Sequence, residues 1–287
     1  MKRGKRYFVV DAFTRQLFGG NPAGVVLLDA DSDFPDAELM RLVAAELRYS
    51  ETAFVRHDGN EEFTVRYFTP ASEVDLCGHA TIAAYGVLRE TGIVSDGAVC
   101  VNHTLAGDLK VIVGNTVMMQ MASPQVVDKH VDSARLHAIM GPASLRWPDM
   151  PVEIISTGLP DIIMPVTDLQ ALHDLAPDMA ALTALSRELE VVGVHAFVLG
   201  DDGYTGHVRN FAPLYDVPEE SATGTANAAL THYLHRRRWV APGSECRFVQ
   251  GEAMRRPSVV ATTLRDDGSI WVGGECCIVA CGEMMVR

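Results

Sequence analysis

The spacing of apolar and polar positions divides the chain into short strands and a few helices. Tyr7 to Phe13 reads as a strand rich in β-branched and aromatic residues, and Ala23 to Leu28 as a second after the turn Gly19-Gly20-Asn21-Pro22. Asp36 to Arg48 is predicted to be a helix, with Leu39, Leu42, Val43 and Leu47 on one face. Strands follow at Ala53 to Val55 and Phe63 to Phe68, then a loop at Thr69 to Ser72, and strands at Val99 to His103, Leu109 to Val113 and Val117 to Met121. Further on, the pattern predicts helices at Ser133 to Met140 and Met179 to Leu189. It predicts strands at Val152 to Ser156, Asp161 to Val166, Glu245 to Gln250, Ser258 to Thr263 and Ser269 to Val272.

Two alanine-rich runs are predicted to be buried helices, each introduced by a glycine: Asp75-Leu76-Cys77-Gly78-His79-Ala80-Thr81 and Glu220-Ser221-Ala222-Thr223-Gly224-Thr225-Ala226. The first N–H groups of a helix have no partner inside it and carry partial positive charge, so such starts can hold a carboxylate. The surroundings of the first run return around the second. Ala53-Phe54-Val55 returns as Ala196-Phe197-Val198, and Val65-Arg66-Tyr67-Phe68 as Val208-Arg209-Asn210-Phe211, both at an offset of 143 (198 − 55 and 211 − 68). Gly78 returns at Gly224, an offset of 146. This points to internal duplication: an α+β chain of two pseudo-symmetric lobes, each a β-barrel-like sheet wrapped around one central helix. The N-terminal lobe is placed at 1–121, with 277–287 able to return to it, and the C-terminal lobe at 122–276. Pro124 and the polar run after it mark the crossing, and the cleft between the lobes is the expected ligand site.

Composition narrows the function. A net charge of −13 with no basic stripe beyond Arg236-Arg237-Arg238, read as an exposed helix end, disfavours nucleic acid. No apolar run is long enough for a membrane span, and the apolar stretch after the basic residues 1–6 is too short for a signal peptide. A cytoplasmic protein with reduced cysteines is expected. Cys276-Cys277 and Cys281 have the wrong spacing for a zinc finger and are read as buried core thiols, so no metal and no cofactor are expected.

Within a duplicated scaffold, differences between the copies point to chemistry. Glu51 aligns with Val194, Cys77 with Thr223 and His79 with Thr225, while Glu220 lies in the longer second loop. Glu51 reads either as a solvated acid at the start of a strand or as a group doing proton chemistry, for which a pKa raised in a closed cleft is expected. A cation at His79 would oppose the helix dipole, so a neutral imidazole is expected. Asp75 and Glu220 read either as site residues or as caps of the helices that follow. Cys77 reads either as an activated thiol or as a small buried apolar group. The segments Gly158 to Asp161 and Ala212 to Val217 are candidate specificity loops.

These motifs resemble the phenazine-biosynthesis PhzF-like isomerase family, within the diaminopimelate-epimerase fold. The resemblance is carried by Val10 to Phe13, Gly20 to Val25, Ser50 to Val55, Phe68-Thr69-Pro70, Asp75 to Thr81 and Glu219 to Ala226. It implies two barrel-and-helix lobes, a homodimer, and catalysis without metal or organic cofactor. In the family's best-known member the substrate is a dihydro-hydroxyanthranilate. Glu51 is implied as the proton carrier, with Gly78, His79 and the second-loop acid completing the site. That acid is usually Asp followed by Pro, whereas here Glu220 precedes Ser221. Related epimerases carry two cysteines, whereas this chain pairs Cys77 with Thr223. The expected function is a proton-moving isomerase of a small amino- or hydroxy-substituted carboxylate. Glu51, His79 and Glu220 would be catalytic, and Gly78, Gly224, Thr225, Asp75 and Cys77 would bind substrate. The rivals are a Cys77-dependent amino-acid epimerase or dehydratase, and a non-catalytic small-anion-binding protein.

Overall fold

The computed structural model describes residues 4–30, 32–141 and 150–285; residues 1–3 of the basic opening lie outside the described residues. The chain forms two compact units, one of residues 1–120 with 273–287 and one of 121–272. No helix among the described residues is long and apolar enough to cross a membrane.

In the first unit, β1 (Lys5–Ala12) pairs antiparallel with β2 (Asn21–Leu27). Helix α1 (Ala37–Leu47) leads to β3 (Thr52–Gly59), which lies parallel to β2 and antiparallel to β4 (Glu62–Phe68). The two-residue β5 (Glu73–Val74) pairs with the end of β4. Helix α2 (Gly78–Glu90) follows, then β6 (Val99–Thr104), β7 (Gly107–Ile112) and β8 (Val117–Gln120). The last strand of the chain, Cys276–Met284, returns to pair with β1. The sheet packs around α2, whose residues from His79 to Leu88 are all buried. Alanine and glycine at 80, 83, 84 and 86 suit this enclosure; a Cβ at Gly86 would meet Cys276 Sγ at 1.9 Å.

α1 covers the outer face of this sheet. Asp36 caps it by accepting from the Glu38 N–H, and Arg48 ends it in the left-handed conformation. Its buried face is Met40, Val43 and Ala44 with Leu47 partly covered, whereas Leu42 is half exposed. The expected stripe through Leu39 and Leu42 is therefore rotated by about one residue. Met40 and Ala44 meet Phe54 and Phe68, and this contact outweighs the pattern of leucines.

The second unit contains β9 (Gln125–Val127), α3 (Ser133–Met140), β10 (Glu153–Ser156), β11 (Pro160–Pro165), α4 (Leu169–His173) and α5 (Met179–Leu189). It continues with β12 (Val194–Leu199), β13 (Gly206–Ala212), a 3-10 turn at Pro213–Tyr215 and β14 (Val217–Glu220). Helix α6 (Gly224–Arg236), β15 (Glu245–Gln250), β16 (Ser258–Leu264) and β17 (Ile270–Gly274) complete it. Helices α3 to α5 cover one face of β10 to β13, and α6 packs on the other. The arginines after α6 are anchored, since Arg236 and Arg237 both donate to Glu153, at 2.8 and 2.7 Å.

Both units repeat one pairing scheme: β2 parallel to β3 and β4 to β6 in the first, β11 to β12 and β13 to β15 in the second. A partly buried ion pair is repeated as well. Arg66 binds Glu73 across β4 and β5 at 2.6 Å, and Arg209 binds Glu219 across β13 and β14 at 2.8 Å. The offset of 143 holds for β4 and β13 but fails for β3 and β12. Gly24 and Leu28 N–H donate to the carbonyls of Glu51 and Val55; Ile162 and Val166 donate to those of Gly193 and Phe197. Residues 51 and 55 therefore correspond to 193 and 197, an offset of 142 (193 − 51). The repeated Ala-Phe-Val is slipped by one, so Phe54 faces α1 while Phe197 faces α6.

The cysteines also depart from expectation. None of the six is in a disulfide, but Cys276 and Cys277 are only partly buried and Cys281 is exposed, because Cys276–Met284 runs along the surface.

Candidate active site

In the first unit, β3 and α2 bring Glu51, Cys77 and His79 together, with ligand atoms all within 4.8 Å of one another. Glu51 immediately precedes β3, where its carbonyl is fixed by the Gly24 N–H at 3.1 Å. Cys77 is the residue before α2, and His79 stands in the helix's first turn. His79 Nε2 lies 3.2 Å from Glu51 Oε2 and 3.3 Å from Ser50 Oγ, while Nδ1 lies 3.4 Å from Cys77 Sγ. Glu51 Oε2 is buried without an aligned hydrogen bond among the described residues, so its contact with His79 is an ion pair seen off the N–H axis.

The charges differ from both sequence expectations. Burial works to raise the Glu51 pKa, but His79, Ser50 and Cys77 outweigh it and hold the carboxyl below its ordinary value. Burial works against the imidazolium, but Cys77 and Glu51 raise the His79 pKa well above its ordinary value. The Cys77 thiol is itself pushed up, by burial first and by the Glu51 charge second. With the thiol held neutral, the Glu51 carboxylate is the charge that favours the imidazolium, and the two shifts favour a carboxylate beside an imidazolium. The expected neutral imidazole is replaced because a contacting carboxylate outweighs the partial charge of a helix end. A divalent cation could be surrounded by these three donors, but the imidazolium already supplies the positive charge that balances Glu51.

Neither central helix is capped by a side chain. Cys77 before α2 and Thr223 before α6 make no side-chain cap bond, so the first-turn N–H groups are not consumed in that way. Asp75 is exposed and does not serve as the cap that was one of its two readings. A Cβ on Gly78 would meet only Met119 Cε, at 3.8 Å, so there is open space before α2.

In the second unit, Glu220 is the last residue of β14 and is paired with Asn210. Its Oε2 accepts from Thr223 Oγ at 2.5 Å. Gln250, at the end of β15, ties this entrance together. Its Oε1 accepts from Thr223 N–H and Asn227 Nδ2, and its Nε2 donates to the Glu220 carbonyl. Thr225, just inside the helix, has its carbonyl held by Thr157 Oγ at 2.9 Å. Gly224 begins α6 and is buried.

The backbone scheme corrects the alignment of Glu51 with Val194: its counterpart is Gly193, where a Cβ would lie 1.8 Å from the Phe211 carbonyl oxygen. The second unit has no room for a side chain where the first carries its acid. Ser50 and Gln250 have places in these networks that their sequence context did not assign. The available signals were the position of Ser50 beside Glu51 and the burial of a glutamine at the end of an apolar strand.

Comparison with known proteins gives the family and the fold. The family described as phenazine biosynthesis-like protein, PhzC-PhzF, matches residues 10–282. A Deinococcus radiodurans protein named an uncharacterized isomerase is 37% identical over 78% of this chain and 74% of its own. The uncharacterized isomerase YddE of Escherichia coli O157:H7 is 32% identical over 90% of both chains. The crystal structure of a Bacillus anthracis phenazine biosynthesis protein of the PhzF family superposes with a TM-score of 0.87 at 28% identity, covering both chains fully. A hydroxyproline epimerase from Agrobacterium vitis shares the fold, with a TM-score of 0.66 at 14% identity over 99% of this chain and 91% of its own. With the family model matched over residues 10–282 and relatives named isomerases at 32% and 37% identity, the chain is an isomerase of the phenazine biosynthesis-like, PhzF family.

Proposed function

We propose that this isomerase moves a proton between two carbons of a small amino- or hydroxy-substituted carboxylate, with Glu51 as the proton carrier. The observation that carries this reading is the buried Glu51–His79 contact of 3.2 Å, in which the two pKa values move in opposite directions. Glu51, as carboxylate, takes a proton from a C–H bond, and the electron pair spreads into the conjugated carboxylate or carbonyl system. His79, as imidazolium, stabilises the negative charge that develops. The proton returns from Glu51 to a second carbon, so no proton or electron is lost.

A carboxylate with a lowered pKa is a weak base, so the substrate must supply an already activated C–H bond. At the start of α2, Gly78 is proposed to hold the substrate carboxylate through helix-start N–H groups; at the start of α6, Gly224 and Thr225 are proposed to offer anion-binding N–H groups of the same kind, with Glu220 beside them. Cys77 is proposed to support the His79 ring, and Asp75 is the weakest member of the set because it is exposed. A homodimer in the cytoplasm completes the proposal, and light scattering of the purified protein reads the first part.

The test is solvent-deuterium incorporation into a panel of aromatic and cyclic amino- and hydroxy-carboxylates. Glu51→Gln is expected to lower exchange by about 10²–10⁴-fold while leaving the fold and ligand binding in place. Full activity in that variant rules Glu51 out. The Cys77-dependent rival is favoured by the short Sγ–Nδ1 contact, and a similar loss in Cys77→Ser with near-normal Glu51→Gln would establish it. Binding without exchange by any ligand of the panel would favour an anion-binding protein. Exchange requires ionised Glu51 and protonated His79, so it should fall below the lowered Glu51 pKa and above the raised His79 pKa.

A further inference from the structure

The entrance of α2 gathers a carboxylate, a thiol and an imidazole. Among the described residues, Glu51, Cys77 and His79 are the one group in which three such ligand atoms fall within 4.8 Å of one another. Cys77 and His79 are buried, whereas the Glu51 side chain is 20% exposed and gives the cluster a way to solvent.

Two edges of the cluster can be compared with a coordination sphere. His79 Nε2 lies 3.2 Å from Glu51 Oε2 and 3.9 Å from Cys77 Sγ. Around a four-coordinate Zn²⁺, with bonds of about 2.0–2.3 Å, the nitrogen–oxygen and nitrogen–sulfur edges are about 3.4 and 3.6 Å. Sγ is also 3.4 Å from Nδ1, so it sits beside the ring and off the Nε2 lone pair. A turn of the imidazole about its Cβ–Cγ bond is needed to aim that lone pair between Sγ and Oε2. The second indication is Glu51 Oε2 itself, a buried acceptor with no aligned donor among the described residues. An acceptor left in that state costs free energy that a cation recovers.

We propose that Glu51, Cys77 and His79 also form a binding site for a thiophilic divalent cation of the Zn²⁺ class, with the fourth position left to water, and that the bound cation and proton transfer exclude one another. Thiolate and imidazole donors select this class over Mg²⁺ and Ca²⁺, which take oxygen ligands. Ligation requires a deprotonated thiol and a free ring nitrogen. The thiol and the imidazolium each release one proton to water as the metal–sulfur and metal–nitrogen bonds form, so two positive charges leave and two arrive. No electron changes hands. With the cation in place, the Glu51 carboxylate is not free to take a proton, and no imidazolium stands ready to stabilise the charge that develops. The exclusion rests on the roles proposed for Glu51 and His79; the binding does not.

The test uses full-length protein freed of metal by chelation and titrated with Co²⁺, a coloured ion of similar geometry, then with Zn²⁺ in competition. The expected result is a sulfur-to-cobalt charge-transfer band with the visible bands of four-coordinate cobalt, all displaced by Zn²⁺. Cys77→Ser should abolish the charge-transfer band, and Glu51→Gln should weaken Zn²⁺ binding by about tenfold or more. Cobalt bound without that band overturns the site. A band that persists in Cys77→Ser belongs to another cysteine and overturns it as well. If Cys77→Ser fails to fold, Glu51→Gln decides, and an unchanged Zn²⁺ affinity there overturns the site. The exclusion is read by solvent-deuterium exchange on a ligand that the wild type turns over. Zn²⁺ should stop exchange as it fills the site, and EDTA should restore it. Exchange that is undiminished or faster with the site filled overturns the exclusion. Because the cobalt spectrum needs no substrate, the metal site and the proton-carrying role of Glu51 fail separately.

Discussion

At the start of α2, Gly24 N–H holds the carbonyl of residue 51; at the start of α6, Ile162 N–H holds that of residue 193, at 3.1 and 3.0 Å. One position is glutamate and the other is a glycine with Phe211 backbone packed over it. The rows beneath the two helices differ in the opposite sense. In the first unit the counterparts of Asp161, His195, Asn210 and Asn227 are Ala23, Ala53, Tyr67 and Thr81. There two alanines leave room for Tyr67, whose hydroxyl meets Thr81 Oγ at 2.7 Å and accepts from Asn102 at 3.0 Å. One entrance has a charged pair at its mouth above a closed neutral row. The other has no acid at the Glu51 position and a titratable row below. One backbone scheme is used twice, and the side chains set on it differ at the helix entrance and in the row beneath.

The largest effect that would break this comparison is at Gly193. Gly193→Ala places a methyl against the Phe211 carbonyl and should cost more than about 3 kcal/mol, read as loss of folded protein or a steep fall in Tm. Glu51→Ala removes atoms at the matching site and should leave a folded chain. Equal tolerance at both sites would show that the proposed equivalence is wrong.

Asp161→Asn sharpens the contrast between the rows. The Asp161 pKa is raised from 3.8 to about 7, so its stabilising contribution is complete below 3.8 and lost as pH rises through 7. A shift of 7 − 3.8 corresponds to roughly 4 kcal/mol of stability forfeited in the wild type above pH 7. The stability of Asp161→Asn relative to wild type should therefore improve from pH 4 to pH 7 and then level off, measured by denaturant unfolding. A difference that does not vary with pH would remove Asp161 from the titrating groups. Tyr67→Phe in the first unit should show no such dependence, since its pKa lies far above this range.

The repeated ion pair gives a smaller contrast. Arg209 stacks over Phe211, donates to the carbonyls of Leu172, His173 and Leu175, and is more buried than Arg66. Glu219→Gln leaves that buried guanidinium without its counter-charge and should cost about 3 kcal/mol. Glu73→Gln leaves a more solvated Arg66 over Phe34 and Phe68 and should cost about 1 kcal/mol or less. Chemical denaturation of both variants measures the difference. Equal costs would mean that burial does not distinguish the two copies.

Much of this architecture was legible in the chain. The helices at Ser133–Met140 and Met179–Leu189 begin after Asp132 and Asp178, whose side chains cap them, and local capping can be read from sequence. Both glycine-led helix starts could be read from the passage of short polar residues into an alanine-rich run, although neither has a side-chain cap. The slip of Ala-Phe-Val could not, because a one-residue shift in a strand reverses its faces while leaving the letters matched. The charge states were hidden for another reason. Whether Glu51 is raised by burial or lowered by His79 depends on a contact between residues 28 positions apart (79 − 51). The buried place of Asp161 beside Asn210 needed β11, β12 and β13 to be set side by side; in sequence it sat only in a candidate specificity loop.

The smallest expected change in stability is at Gly78, where it separates structural from binding roles. Gly78 is a helical residue outside the positive-φ set, and an added Cβ would make only an ordinary contact with Met119. Alanine should therefore be tolerated, and a gain of up to about 0.5–1 kcal/mol follows from reduced freedom of the unfolded chain. The methyl would nevertheless project into the space before α2, where a carboxylate must approach the N–H groups closely. Gly78→Ala should thus hold or raise Tm while raising the Kd or KM for a carboxylate ligand by several-fold. A variant that keeps its Tm and also keeps its ligand affinity would show that the anion does not bind at this helix start. Glu51 and His79 would then face a substrate held by other groups.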